Sequence, residues 1–212
     1  AQPDEDGCFY TVDETMTPEE WIARLAPMDS WNERLLLSLF CLYGIPSSYL
    51  DIGSGTGAMV NLARRLGVDA YGVDLIERPD SWLHQHDLMN PLDMGRDFEL
   101  VTCLEVAEHV PPEGANVLVD SVARHVHPGC MLVWSAAQPG QAGDDHVNPQ
   151  NSFYWRTLLW EAGKLNWKEQ RAYRLSLAWT LVHSPMFWLP ANVQVFGKIN
   201  STELYPRNAG AY

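Results

Sequence analysis

An α/β fold on a doubly wound, mostly parallel sheet is predicted by three features. From residue 48 onward, short apolar runs of strand length alternate with amphipathic stretches of helix length. The first run passes straight into a glycine-rich turn and then a helix, as a βαβ unit does. The chain has 212 residues and is 46% hydrophobic, ample for one packed core and incompatible with a disordered tail or collagen-like repeat.

In chain order, residues 1–16 are acidic and aperiodic and read as an arm. Two helix starts follow, each with a capping-box pattern: Thr17-Pro-Glu-Glu20, with proline at the first helical position, and Ser30-Trp-Asn-Glu33 before the apolar run 35–43. Residues 1–46 are expected to form an arm and helices covering a pocket of the main domain, 47–212. Strands are predicted at 48–52, 70–74, 83–86, 98–104 and 131–135, with helices at 58–66 and 114–126 between them. A loop rich in turn residues, 138–150, precedes a helix over 152–162 stopped by Gly163. Loops of this length in a compact domain are usually functional or mobile. Residues 171–182 fit helix or strand equally, and 193–198 reads as a final strand.

Composition narrows the partners. Fourteen basic against 27 acidic residues give a net charge of −13, which disfavours a phosphate backbone unless Arg64-Arg65 or Arg171 with Arg174 form a local basic spot. The longest apolar run is far short of a membrane span. The N-terminus shows no basic-then-apolar leader pattern, so a cytoplasmic location is expected. A chain starting without methionine is expected to have been trimmed or cut from something longer. Cys8, Cys41, Cys103 and Cys130 are scattered without a C-x-x-C pair, as expected of reduced core thiols rather than a zinc site.

The sharpest signal is Tyr49-Leu-Asp51-Ile-Gly53-Ser54-Gly55-Thr56-Gly57-Ala58. Three alternating glycines between strand and helix let the backbone turn tightly and approach a ligand, and the helix amides add donors. Asp74 ends the next strand nineteen residues after Gly55, where a carboxylate can accept from both hydroxyls of a ribose. A ligand with an adenosine-like half is expected.

These residues resemble the class I S-adenosylmethionine-dependent methyltransferases. Asp51-x-Gly53-x-Gly55-x-Gly57 is similar to that family's first motif, Asp74 to its ribose-binding acid, Asp87-Leu88 to its adenine-side position, and residues 98–109, ending Glu105-Val-Ala-Glu-His109, to its fourth-strand motif. The resemblance covers roughly residues 47–136. It implies a Rossmann-like seven-stranded sheet with helices on both faces and an antiparallel last strand. It also implies S-adenosylmethionine as cofactor, held by Asp51, Gly53, Ser54, Gly55, Thr56, Gly57, Asp74, Leu75, Asp87, Leu88, Leu104 and Glu105. The implied activity is methyl transfer to an oxygen or nitrogen of a small-molecule acceptor. The alternatives are a catalytically silent relative serving as a binding module, and an NAD-dependent dehydrogenase. The latter fits Gly53-x-Gly55-x-x-Ala58 loosely but not an acid at position 51.

For the chemistry, His109 and His146 are the candidate general bases, both just beyond strands at the ligand edge, with side chains that titrate near neutrality. Glu105 is expected to shape the methionine end of the cofactor. Asp144-Asp145-His146 suggests a metal only weakly, for want of a second ligand cluster, and no metal is expected. His84 and His86 read as surface or strand-end residues. Trp134, Trp21 and Trp31 are expected in the core. Tyr154 and Trp155, with Phe153, Trp82 and Asn148, are candidates to line the acceptor pocket, where a ring near a sulfonium gains cation–π attraction. The oligomeric state is left open.

Overall fold

A computed structural model describes residues 17–143, 146–181 and 188–199. The capping box at Thr17 forms: its hydroxyl oxygen accepts from the Glu20 amide while the Glu20 carboxylate accepts from the Thr17 amide, starting α1 (Pro18–Leu25). The second predicted box does not form. A 3₁₀ turn, Ala26–Met28, leads directly into α2 (Asp29–Tyr43), Met28 at the N-cap is already right-handed, and Ser30 falls inside the first turn. With no extended residue before it, Ser30 cannot cap.

The core then follows the predicted alternation: β1 (Ser48–Ile52), α3 (Ala58–Arg65), β2 (Asp69–Asp74), β3 (Leu83–Gln85), β4 (Phe98–Leu104) and α4 (Ala115–His125). The fifth strand, β5 (Val126–Ser135), starts five residues earlier than expected, running directly on from α4; a register shift against β4 between Phe98 and Leu100 absorbs the turn residues His127-Pro128-Gly129. After α5 (Ser152–Gly163) come β6 (Leu165–Trp167), α6 (Glu169–Leu181), α7 (Leu189–Asn192) and β7 (Gln194–Lys198). The ambiguous stretch 171–181 is thus helical; Val182 lies outside the described residues. The sequence pattern did not reveal β6 or α7, which at three and four residues are too short to show a period.

The seven strands run in the order β3-β2-β1-β4-β5-β7-β6, the first five parallel and β7 antiparallel to both neighbours. Alternate residues feed two cores. Leu50, Ile52, Val101, Cys103, Leu132, Trp134 and Phe196 pack with α4 and α5; Tyr49, Leu100, Val133 and Val195 pack with α2, α3 and α6. Chain direction across the sheet reverses between β1 and β4, so a crevice opens at their carboxyl ends. Cys103 is a core thiol as expected, but Cys41 is exposed and Cys130 half-buried; Cys8 lies outside the described residues. Among the described residues no helix is long and apolar enough to cross a membrane.

Candidate active site

The crevice holds a cavity of about 610 Å³ walled by the segments after β1, β2, β4 and β5, with α1 and α2 contributing Trp21, Leu25 and Asp29. Its floor is the glycine turn. Gly53 has φ +77°, and a Cβ there would strike the Val106 side chain, so only glycine lets the turn lie against the β4 loop. The Gly53 and Ser54 amides donate to the Val73 carbonyl at 2.8 and 3.0 Å, welding the turn to β2. Thr56 Oγ1 donates to Asp29 Oδ1 at 2.5 Å, tying the turn to α2. Gly57, left-handed at φ +82°, caps α3 and faces Leu83 rather than the cavity.

Asp74 Oδ2 accepts from the Gly55 amide at 2.9 Å and Oδ1 from the Ile76 amide at 3.2 Å, with the buried Arg78 guanidinium 3.9 Å away. Burial raises its pKa, against the pull of those amides and Arg78. A carboxylate offers about four lone-pair sites, so two amides leave room for a vicinal diol. Ser54 lines the cavity, its Oγ buried against Gly72 with no hydrogen-bond partner among the described residues. Leu75, half-exposed, and Leu88 add an apolar wall suited to a heterocycle. Asp87 is also at the wall, but its carboxylate already accepts from Met89 and Asn90, closing its own turn. These residues fit a nucleoside with a polar substituent.

Asp51 lines the cavity from the end of β1. It accepts from Thr102 Oγ1, which in turn bonds Tyr49 OH at 2.7 Å. Burial lifts its pKa to about 7, opposed by these hydrogen bonds.

The far wall comes from the end of β4. Leu104 lines the cavity, and Glu105 takes a left-handed backbone at φ +53°, its amide donating to the Ser135 carbonyl and hydroxyl at 3.0 Å. Its carboxylate accepts from Asn192 and from the Trp188 indole. Glu108, on the 3₁₀ turn Ala107–His109, is fully buried. Its Oε1 accepts from the Ala137 amide at 3.0 Å, and Oε2 has no hydrogen-bond partner among the described residues. Burial, then the charge of Glu105, pushes its pKa up to about 8.

His109 and His146 both line the cavity, ring centroids 5.1 Å apart and edge-on. Together with Glu108 they place three ligand-type atoms within 4.8 Å of one another. Asp144 and Asp145, which suggested a metal in the sequence, lie outside the described residues. Asn148 is buried off the cavity. Its amide donates to the Glu108 carbonyl at 2.9 Å, and its Oδ1 accepts from Gln150, so it braces the loop that carries His146.

The aromatic expectations are corrected. Trp155 is 1% exposed and packs on Trp134 at 5.3 Å; Tyr154 packs on the same core, and neither lines the cavity. The reason is helical phase: α5 turns Trp155 onto the sheet and leaves Phe153 exposed. Trp82 donates to Asn61 away from the cavity. Trp21, expected in the core, is on the cavity wall, because α1 buries no residue. Trp188 is the second tryptophan there. Trp188, Asn192 and Arg78 escaped the sequence reading because only folding brings them to the site; Glu108 was visible in Glu-x-x-Glu-His.

Comparison with known proteins completes the picture. Residues 20–172 match the family described as "Methyltransferase domain". The ubiquinone biosynthesis O-methyltransferase of Pseudomonas entomophila is 29% identical over 100 residues, which are 41% of this chain and 42% of that protein. This chain therefore spans about two fifths of the length of the curated relatives it matches. The TehB-like SAM-dependent methyltransferase of Corynebacterium glutamicum superposes with TM-score 0.60 at 18% identity, covering 85% of this chain and 97% of that one. The N-methyltransferase NodS of Bradyrhizobium japonicum, solved with S-adenosyl-L-homocysteine, gives TM-score 0.53 at 20% identity, covering 71% and 85%. At such identities these likenesses show the fold. With the family match extending over most of the sequence and the sheet order and glycine turn in agreement, the chain belongs to the methyltransferase-domain family, Rossmann-like enzymes that use S-adenosylmethionine.

Proposed function

We propose that the chain transfers a methyl group from S-adenosylmethionine to an oxygen or nitrogen of a small-molecule acceptor. The observation that carries this reading is one cavity in which the glycine turn and Asp74 lie on one wall and Glu105, His109 and His146 on another. When bound, the cofactor supplies an already activated methyl group, so the protein's part is alignment and proton management, worth about 7 kcal/mol or more in favourable cases. Asp74 takes the ribose diol, with Ser54 as a further polar contact and Leu75 and Leu88 against the base. Glu105 answers the cationic methionine end. His109 or His146 receives the acceptor's proton. The relatives' name as O-methyltransferases favours oxygen, and a net charge of −13 favours a small acceptor over a nucleic acid. Membership of the methyltransferase family removes the motive for a dehydrogenase.

Calorimetry with S-adenosylhomocysteine tests the reading. Asp74→Ala is expected to weaken binding about 10- to 100-fold, the equivalent of about 1.5–3 kcal/mol for hydrogen bonds to a charged group. Unchanged affinity in that variant would sink the assignment. Binding with no turnover on phenolic or amine acceptors would instead identify the silent relative.

A further inference from the structure

The Glu-x-x-Glu-His segment and the loop after β5 meet in a way that methyl transfer alone does not require. Glu108 is fully buried, yet among the described residues one of its carboxylate oxygens has no hydrogen-bond partner. Leaving a buried carboxylate oxygen unsatisfied is costly. Among the described residues no lysine or arginine forms an ion pair with Glu108 or its neighbour Glu105. Opening onto the same cavity are the imidazoles of His109 and His146. The two chain segments are clamped together around this point: Glu108 receives the Ala137 amide on its side chain and the Asn148 amide on its carbonyl.

The geometry points to a divalent-cation site formed by Glu108, His109 and His146, with open coordination positions turned to the cavity where the acceptor would sit. The donor set selects the ion. Two imidazoles and one carboxylate suit first-row transition ions such as Mn²⁺, Co²⁺ or Zn²⁺, whereas calcium and magnesium prefer oxygen alone. Ligand distances of about 2.0–2.2 Å place tetrahedral ligand atoms about 3.4 Å apart. The observed spread of up to 4.8 Å closes by rotating the imidazoles. Three protein ligands leave positions for exogenous oxygen, as in catalytic rather than structural metal sites. An acceptor that presents a hydroxyl would fill one, and the bound ion would lower its pKa and let its proton leave to solvent, in place of general-base help from His109 or His146. That last step rests on the methyl-transfer reading; the cation site does not.

The test uses the full chain stripped with a chelator and titrated with Co²⁺, followed by visible absorption, with S-adenosylhomocysteine titrated separately by calorimetry. One equivalent of Co²⁺ is expected, its affinity reduced at least tenfold by His146→Gln and by Glu108→Gln. Because Glu108 is buried and its replacement can disturb folding, the loop variant His146→Gln, checked by circular dichroism, decides the matter. No Co²⁺ spectrum, or equal affinity in wild type and His146→Gln, overturns the site. Failure of the wild-type chain to bind Co²⁺ while it still binds S-adenosylhomocysteine refutes the cation site alone. The reverse pattern supports the cation site and refutes the methyl-donor assignment.

Discussion

Asp51 lines the cavity proposed to hold the methyl donor, so its protonation bears on that reading. Its folded pKa of about 7 stands above the ordinary 3.8 because β1 buries it, with Thr102 and Tyr49 partly compensating. A carboxyl raised in this way favours the folded state below its unfolded pKa, and that contribution is lost as pH climbs from about 4 through about 7. Thermal stability is therefore expected to fall across this range in wild type and to vary less in Asp51→Asn, as melting scans at a series of pH values would show. A cationic ligand nearby favours the ionised form. S-adenosylmethionine should accordingly bind a few-fold more tightly at pH 8 than at pH 6, and Asp51→Asn should flatten the difference in calorimetry. A wild-type affinity independent of pH would contradict a role for this carboxyl. At this scale the acidic residue and the glycines were legible because a tight turn beside a strand constrains residue type strongly. Glu108 was legible only as part of a motif, since nothing local to residues 105–109 announces that His146 lies beside it.

The elements show where local rules hold. Asn151 caps α5 by accepting from the Phe153 and Tyr154 amides, both at 3.0 Å. Asn151→Ala is expected to cost about 1 kcal/mol and lower the melting temperature by a few degrees, while Asn151→Asp keeps the acceptor and most of the stability. Equal melting temperatures for wild type and Asn151→Ala would show the cap to be dispensable. β1, β2 and β4 matched their predicted spans closely because a strand buried between neighbours reads as a short apolar run bounded by turn residues. The second capping box failed for the converse reason: the pattern was present, but the 3₁₀ turn from α1 left no extended residue at its start. The start of β5 was missed because Pro128 and Gly129 read as a break, whereas the sheet tolerates them by shifting register.

For the molecule as a whole, the two cores decide which aromatic rings serve packing. Trp155 is enclosed by the core on the α4–α5 face, its ring packed at a tilt against Trp134. Trp155→Ala should cost about 3–5 kcal/mol in denaturant unfolding, with donor affinity of the folded protein unchanged. A selective loss of donor or acceptor binding at full stability would return this ring to the ligand pocket. Strand alternation, the Gly53–Gly57 turn and the spacing to Asp74 were readable in one dimension because backbone geometry restricts which residues can occupy neighbouring positions. The cavity's aromatic wall of Trp21 and Trp188, the Asn192 contact to Glu105 and the meeting of Glu108 and His109 with His146 were not readable in that way. They join residues 37 to 167 positions apart, and such contacts arise from how α1, α7 and the loop after β5 fold over the sheet edge, a matter of packing that leaves no periodic trace in the chain.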